Sequence, residues 1–228
     1  MPGIRFLDLA TIERRHGIMD NMEDHWLALA KRLQSIASTG LHYSNGEFDK
    51  ERYAEVASIA NDMLASLGNV PLARIEELVP DFATGYATPK VEVRGAVIRD
   101  DRVLLVREAC DGLWAMPGGF ADVGISPAEN IVKEIREEAS LNVSASAIYG
   151  LLHKAKHQYD PDVRDFYKIF FLCETLDEAD PAPGLEATEA GFFDLDDLPP
   201  LSTGRVLRKD IEAAFRFRDD PLNVLLFD

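Results

Sequence analysis

The chain has 228 residues, room for one large domain or two small ones, and an ordinary apolar fraction of 46%. Its formal net charge of −16, from 40 acidic against 24 basic side chains, argues against broad binding to nucleic acid or to anionic membranes, which need basic surfaces. A small phosphate-bearing substrate stays open, because metal ions can neutralise charge locally. Cys110 and Cys173 are far apart and have no metal-ligand spacing, so two thiols in a reducing cytoplasm are favoured over a disulfide.

Residues 1–21 read as a loosely ordered leader. The apolar run at 7–10 is too short for a signal peptide, and Glu13, Arg14 and Arg15 interrupt it. No segment approaches the length of a membrane-spanning helix, and a cytoplasmic location is expected. Met19 and Met22 leave an alternative translation start open.

Residues 22–70 read as a helical module. A helix is predicted over 23–38, with Trp26, Leu29, Ala30, Leu33, Ile36 and Ala37 on one face and Gly40 as its stop. After an Asn45-Gly46 turn, a second helix is predicted over 49–67, ended by Gly68, Asn69 and Pro71. Its apolar face carries Tyr53, Val56, Ala57, Ala60, Met63 and Leu64. An α-hairpin of roughly 45 residues is near the lower size limit for a stable domain, so it should lean on the rest of the chain or on a second copy. Residues 71–90 read as a linker with a short helical turn at 75–78.

Strands are predicted over 91–98 and 102–108, joined as a hairpin. Trp114 reads as a packing residue beneath the glycine turn that follows, with base stacking as the alternative. Phe120 directly follows the glycine pair and is expected to line a site.

The rest of the chain is organised around residues 118–143, GGFADVGISPAENIVKEIREEASLNV. Ser126 is a good N-cap, Pro127 fits the first helical position, and Glu129 can complete a capping box. Ala128, Ile131, Val132, Ile135 and Ala139 fall within an arc of roughly 100° and form the buried stripe. Glu134, Glu137 and Glu138 share a neighbouring arc, where they repel by a few tenths of a kcal/mol per pair. A divalent cation would reverse the sign of that cost, since hard ions such as Mg²⁺ prefer oxygen ligands. The Gly118-Gly119 turn can fold close to these carboxylates and offer a backbone carbonyl. For an isolated EIREE string, a solvated acidic face is the alternative.

A strand over 143–153 and an apolar one in DFYKIFFLCETL flank the loop HKAKHQYDPDVRD. His153, Lys154, Lys156 and His157 in that loop could meet substrate phosphates, or the loop could be simply solvated; the histidines lack zinc-site spacing. Glu186 and Glu189 precede the next strand, and either could be plain surface. Phe192 and Phe193 are expected in a last strand, followed by a helix over 205–216 and an apolar end, 221–228, that docks on the body or on a partner subunit.

The glycine pair, loop, capped helix and three glutamates together resemble the Nudix box, G-x5-E-x7-R-E-U-x-E-E-x-G-U with U a bulky aliphatic residue. Gly119, Glu134, Ile135, Glu137, Glu138 and Leu141 match; Ile125, Lys133 and Ser140 stand where the pattern has Glu, Arg and Gly. The helical segment resembles the N-terminal module of a Nudix subgroup described as ADP-ribose pyrophosphatase-like, which includes CDP-choline pyrophosphatases. The resemblance implies an α+β chain: an α/β/α sandwich with a mixed sheet over 91–228, preceded by the small helical domain. It implies Mg²⁺, or Mn²⁺, held by Glu134, Glu137 and Glu138 with the Gly118 carbonyl. Because the family's fold often supplies a further carboxylate late in the chain, Glu186 and Glu189 become candidates for a second metal ligand or a base. The general base would be a box glutamate or a late-loop carboxylate such as Glu186, and Phe120, Lys154, Lys156 and His157 would bind substrate. The expected reaction is hydrolysis of a nucleoside diphosphate derivative of the CDP-choline or ADP-ribose class, by a homodimer. A nucleotide-binding module without turnover is the competing reading.

Overall fold

The computed structural model describes residues 25–68, 72–83, 85–222 and 225–228. The leader expected over 1–21 lies outside them, as do Asn69 and Pro71. Three helices come first: α1 (His25–Tyr43), α2 (Glu47–Gly68) and α3 (Leu72–Ala83). Helix α1 runs through Gly40 instead of stopping there. A Cβ at Gly40 would lie 2.4 Å from the Tyr53 ring, so this glycine lets α1 and α2 approach rather than capping a helix end. The buried face of α1 is also rotated from the one expected. Leu27, Ala30, Gln34, Ala37 and Ser38 are buried, while Trp26, Leu33 and Ile36 are exposed. Gln34 pairs with Asn61 across the hairpin at 2.9 Å and accepts from Ser38 at 2.7 Å, which satisfies the polar groups that the rotation buries.

Helix α3 is longer than the short helical turn expected over 75–78. Ile75 is fully buried against Leu27, Ala30 and Leu64, so tertiary packing overrules the weak local helix signal.

The sheet contains β1 (Lys90–Arg99), β2 (Arg102–Glu108), β3 (Trp114–Ala115), β4 (Val143–His153), β5 (Phe166–Thr175), β6 (Ala187–Asp194) and β7 (Leu226–Phe227). Its order is β3-β2-β1-β5-β4-β7, with β6 also paired to β2. It is mixed: β1 runs parallel to β5 and β7 to β4, and the other pairs are antiparallel. The β1–β2 hairpin turns on Asp100 and Asp101, both with positive φ (51° and 56°), the conformation a two-residue hairpin favours.

Helices α4 (Pro127–Ala139) and α5 (Arg208–Asp219) cover opposite faces. Val93, Val97, Leu104 and Val106 pack on Ile131 and Ile135, whereas Ala96, Val103, Leu105, Tyr149 and Phe170 pack towards Ile211 and Phe215. Gly95 admits α4, since a Cβ there would come within 2.7 Å of Ile135. This is the expected sandwich with its helical N-terminal region. Phe192 and Phe193 lie in β6, which is not the last strand; β7 follows and joins β4, so the apolar end docks on the body. Both cysteines are free, Cys110 exposed and Cys173 buried. Among the described residues no helix is long and apolar enough to cross a membrane.

Helix α4 begins with the predicted capping box: Ser126 Oγ accepts from Glu129 N at 3.2 Å, and Glu129 Oε2 accepts from Ser126 N at 2.7 Å. It ends on Ser140 in the left-handed region, φ 56°. That conformation explains why the box pattern places glycine there. Ser140→Gly is expected to stabilise the protein by about 0.5–1 kcal/mol, the left-handed penalty less the extra glycine entropy, as read from thermal melts. An unchanged or lower melting temperature would sink that assignment.

Candidate active site

The 117–121 segment is laid along β1 by three backbone bonds. Gly95 N donates to Pro117 O, Val93 N to Gly119 O, and Ala121 N to Val91 O, at 2.9–3.0 Å. Gly118 has φ 146°, and a Cβ there would lie 2.1 Å from the Val93 carbonyl, so no side chain fits. Its N–H donates to Glu138 Oε2 at 2.9 Å. A Cβ on Gly119 would lie 3.0 Å from Glu134 Oε2. The glycine pair therefore packs directly against two carboxylates of α4.

These groups form one wall of a cleft of about 530 Å³. Glu92, Arg94 and Glu108 line it too, Lys154, Asp162 and Arg164 face it from the segment between β4 and β5, and Phe166 faces it from the first position of β5. Phe120, Glu186 and Arg205 complete the lining. A larger groove, about 780 Å³ on the outer face of α4, contains Lys133 and Glu137 but neither Glu134 nor Glu138. The smaller cleft is therefore where the chemistry-bearing groups converge.

Burial pushes the Glu138 carboxyl up to about 7, against the pull of Arg94 and the Gly118 N–H, and the charges of Glu108 and Glu134 add to the rise. Burial also raises Glu134, partly offset by Lys133 and reinforced by Glu137 and Glu186. Glu108 is raised by burial too, despite Arg94 and Arg205. Partly desolvated carboxylates that repel one another are hard oxygen donors whose strain a divalent cation relieves, so the donor set fits such an ion. Among the described residues, no three His, Cys, Asp or Glu side chains are already gathered as a ligand set. Substrate phosphates and water commonly complete such a shell.

The sequence candidates divide by place. Glu134, Glu138, Gly118, Phe120, Lys154 and Glu186 share the cleft. Glu137 is turned to Lys133 at 2.9 Å, and Lys133 also reaches Asp122 at 3.2 Å. Lys156 is exposed outside the cleft. His157 is taken up by Asp228 at 2.8 Å and Lys209 at 2.7 Å, because the docked C-terminus reaches it first. Glu189 pairs with Arg107 at 2.6 Å. His153 bonds Asp165 at 2.8 Å. Trp114 packs edge-on against Phe193, with ring centroids 4.7 Å apart.

Phe120 stacks on Phe166 with centroids 5.7 Å apart and planes 7° from parallel. The Arg164 guanidinium lies 5.4 and 5.1 Å from the two ring centres and is held by Asp162 at 3.0 Å. Lys154 Nζ lies 5.0 Å from the Phe166 ring centre, and burial lowers its pKa against the pull of Asp162 and Glu92. The helical module supports this loop. Lys31 pairs with Asp165 at 3.1 Å, and Val163 packs on the Leu27–Ala30–Leu64–Ile75 cluster.

Sequence reasoning passed over Glu92, Arg94, Glu108, Arg164, Phe166 and Arg205. A signal existed for the first two: VEVRGAVI carries two charges at alternate positions of an otherwise apolar central strand.

Residues 24–79 match the family described as UDP-X-like, N-terminal oligomerisation domain, and residues 89–215 match the NUDIX domain. A protein of Bacillus subtilis (strain 168), provisionally named an ADP-ribose pyrophosphatase, is 39% identical over 210 residues, which cover 92% of this chain and 100% of the relative. The crystal structure of an ADP-ribose pyrophosphatase from Streptococcus suis 89-1591 is 38% identical with a TM-score of 0.55, covering 62% of this chain and 100% of that one. The crystal structure of a UDP-X diphosphatase is 29% identical with a TM-score of 0.57, covering 91% of this chain and 100% of that one.

Proposed function

We propose that this chain, which belongs to the NUDIX hydrolase family, cleaves the pyrophosphate bond of a nucleoside diphosphate linked to a second moiety and releases a nucleoside monophosphate. The observation that carries the reading is the convergence of Glu134 and Glu138 on the glycine turn, in one cleft with Lys154 and Arg164. The names of the relatives favour ADP-ribose or a UDP-linked compound, and CDP-choline belongs to the same chemical class.

Glu134, Glu138 and the Gly118 carbonyl would hold Mg²⁺ or Mn²⁺, with Glu137 joining after leaving Lys133. Such an ion supplies Lewis acidity towards the phosphate oxygens and the attacking water. The rest falls to the protein. Lys154 and Arg164 orient the diphosphate and offset its charge, so that attack at phosphorus depends on positioning. Phe120 offers an aromatic face to a planar base. Glu186, exposed at the cleft, or one of the box glutamates accepts the proton of the water. The N-terminal match and the exposed Trp26, Ile36, Tyr43, Phe48 and Ile59 support a homodimer built on the helical module.

The test is release of monophosphate from ADP-ribose, UDP-linked sugars, CDP-choline, NADH, diadenosine polyphosphates and nucleoside triphosphates, with Mg²⁺ or Mn²⁺ and with a chelator. Ion-dependent cleavage of one diphosphate class is expected. Nucleotide binding without turnover would replace the enzyme by a binding module.

A further inference from the structure

Neither Lys133 nor Arg136, the cations on α4 beside the carboxylates, faces the cleft. Lys133 is turned out to Asp122 and Glu137, and Arg136 lines the groove on the outer face of the helix. The positive charge that pulls on Glu138 through space is Arg94, on β1. Arg94 is 3% exposed and lines the same cleft. Its Nε donates to Glu92 Oε1 at 2.7 Å and its Nη1 to the Met116 carbonyl at 2.9 Å, with Glu108 Oε1 at 3.9 Å. Glu92 is a fixed anion: burial alone would raise its carboxyl, but Arg94 and Lys168 outweigh burial and hold it at about 2. Lys168, fully buried, lies 2.8 Å from the other Glu92 oxygen.

The guanidinium thus grips the backbone two residues before Gly118, whose N–H holds Glu138. The contact is tight on both sides, since a Cβ on Gly118 would come 2.9 Å from the Arg94 Cα. Two parallel requirements, a carboxylate partner and a carbonyl partner at fixed angles, suit the planar fork of arginine and not the single ammonium of lysine.

We infer that Arg94 is a positioning residue for Glu138: pinned by Glu92, it clamps the 116–118 backbone so that the Gly118 N–H presents the Glu138 carboxylate to the cleft for a divalent cation. The inference rests on the reading of Glu138 as a metal ligand. It is distinct from a simple charge effect, because the two act in opposite directions. A bare positive charge at Arg94 repels the cation, so its removal would tighten binding. Loss of the clamp weakens it.

The experiment is a Mn²⁺ titration of the full chain, with free Mn²⁺ read by electron paramagnetic resonance, for wild type, Arg94→Met and Arg94→Lys. Thermal melts report folding, and kcat and KM are measured alongside. Arg94→Met is expected to bind Mn²⁺ about tenfold or more weakly, the range seen when groups orienting metal ligands are lost. Its kcat is expected to fall in step while KM for the diphosphate stays within about twofold. Arg94→Lys, which keeps the charge and loses the fork, is expected to weaken Mn²⁺ binding in the same direction, and it decides the matter if Arg94→Met does not fold. Unchanged or tighter Mn²⁺ binding by a folded variant overturns the clamp alone. A wild-type chain that binds no Mn²⁺ overturns the functional reading, and the clamp with it.

Discussion

Glu138→Gln is expected to lower kcat by on the order of 10³-fold at saturating Mg²⁺, because a lost ligand forfeits several kcal/mol of transition-state charge stabilisation. The substitution is nearly isosteric and keeps an oxygen that can accept from the Gly118 N–H, so the fold should persist. Glu134→Gln should behave alike, since that carboxylate packs on Gly119 in the same wall. Glu137→Gln is expected to fall in the same range, although its side chain is engaged elsewhere. Its pair with Lys133 is exposed on both sides, 55% and 42%, and such pairs contribute about 1 kcal/mol or less. An arriving cation can break it at little cost. Steady-state kinetics on the substrate identified from the panel, with melts to confirm folding, decide the matter. A folded Glu138→Gln protein within about threefold of wild type would remove this residue from the metal-binding role.

The second large effect is on stability. In the presence of a chelator, the protein is expected to become less stable as pH rises from about 5 to 8. The folded Glu138 carboxyl titrates near 7 and the unfolded one near its ordinary value of 4.5. Between those values the native state binds more protons than the unfolded state, so stability falls with rising pH through that window. The two values correspond to a loss on the order of 3 kcal/mol, or roughly 6–12 °C in melting temperature for a chain of this size. Glu134 and Glu108, also raised, act in the same direction. Glu92 does not offset the trend: its carboxyl is held at about 2, so its contribution is complete once the unfolded carboxyl has ionised, below this window. Saturating Mg²⁺ should restore most of the loss at pH 8, because the ion binds the ionised carboxylates. Glu138→Gln should flatten the slope and raise the chelated melting temperature at pH 8 even as it lowers turnover. Melts at pH 5.5 and 8, with chelator or with Mg²⁺, supply the four numbers needed. A chelated protein whose stability is flat or rises over this window would show that the carboxylates are not strained against one another.

The capped helix α4 was readable because its signals are local. An N-cap, a proline at the first position and a stripe at helical spacing all act within one turn or two. The β1–β2 hairpin was readable for the same reason. The helical module was only partly readable. Gly40 looks like a stop in one dimension, and only the Tyr53 ring opposite shows that it serves close packing. Exposed Trp26, Leu33 and Ile36 carry an apolar pattern that one chain does not bury, so the pattern pointed to the wrong face of α1 for intrachain packing. Helix α3 was legible only as a short turn at 75–78, because its stability comes from Ile75 meeting residues from α1 and α2.

The sequence by itself determined the capped helix with its three glutamates, the glycine pair before it, and the resemblance that links them to diphosphate hydrolysis. These depend on residues close together along the chain, where periodicity and backbone chemistry leave few choices. Only the tertiary structure decided which charges share the cleft. It turned Glu137 and Lys133 outward, gave His157 to the C-terminus, and brought Arg94, Arg164, Phe166 and Arg205 in from separate strands and loops. Electrostatic partnership acts over a few ångströms of space, while the sequence orders residues by chain distance alone, so a buried guanidinium 44 positions before the carboxylate it serves leaves no local trace.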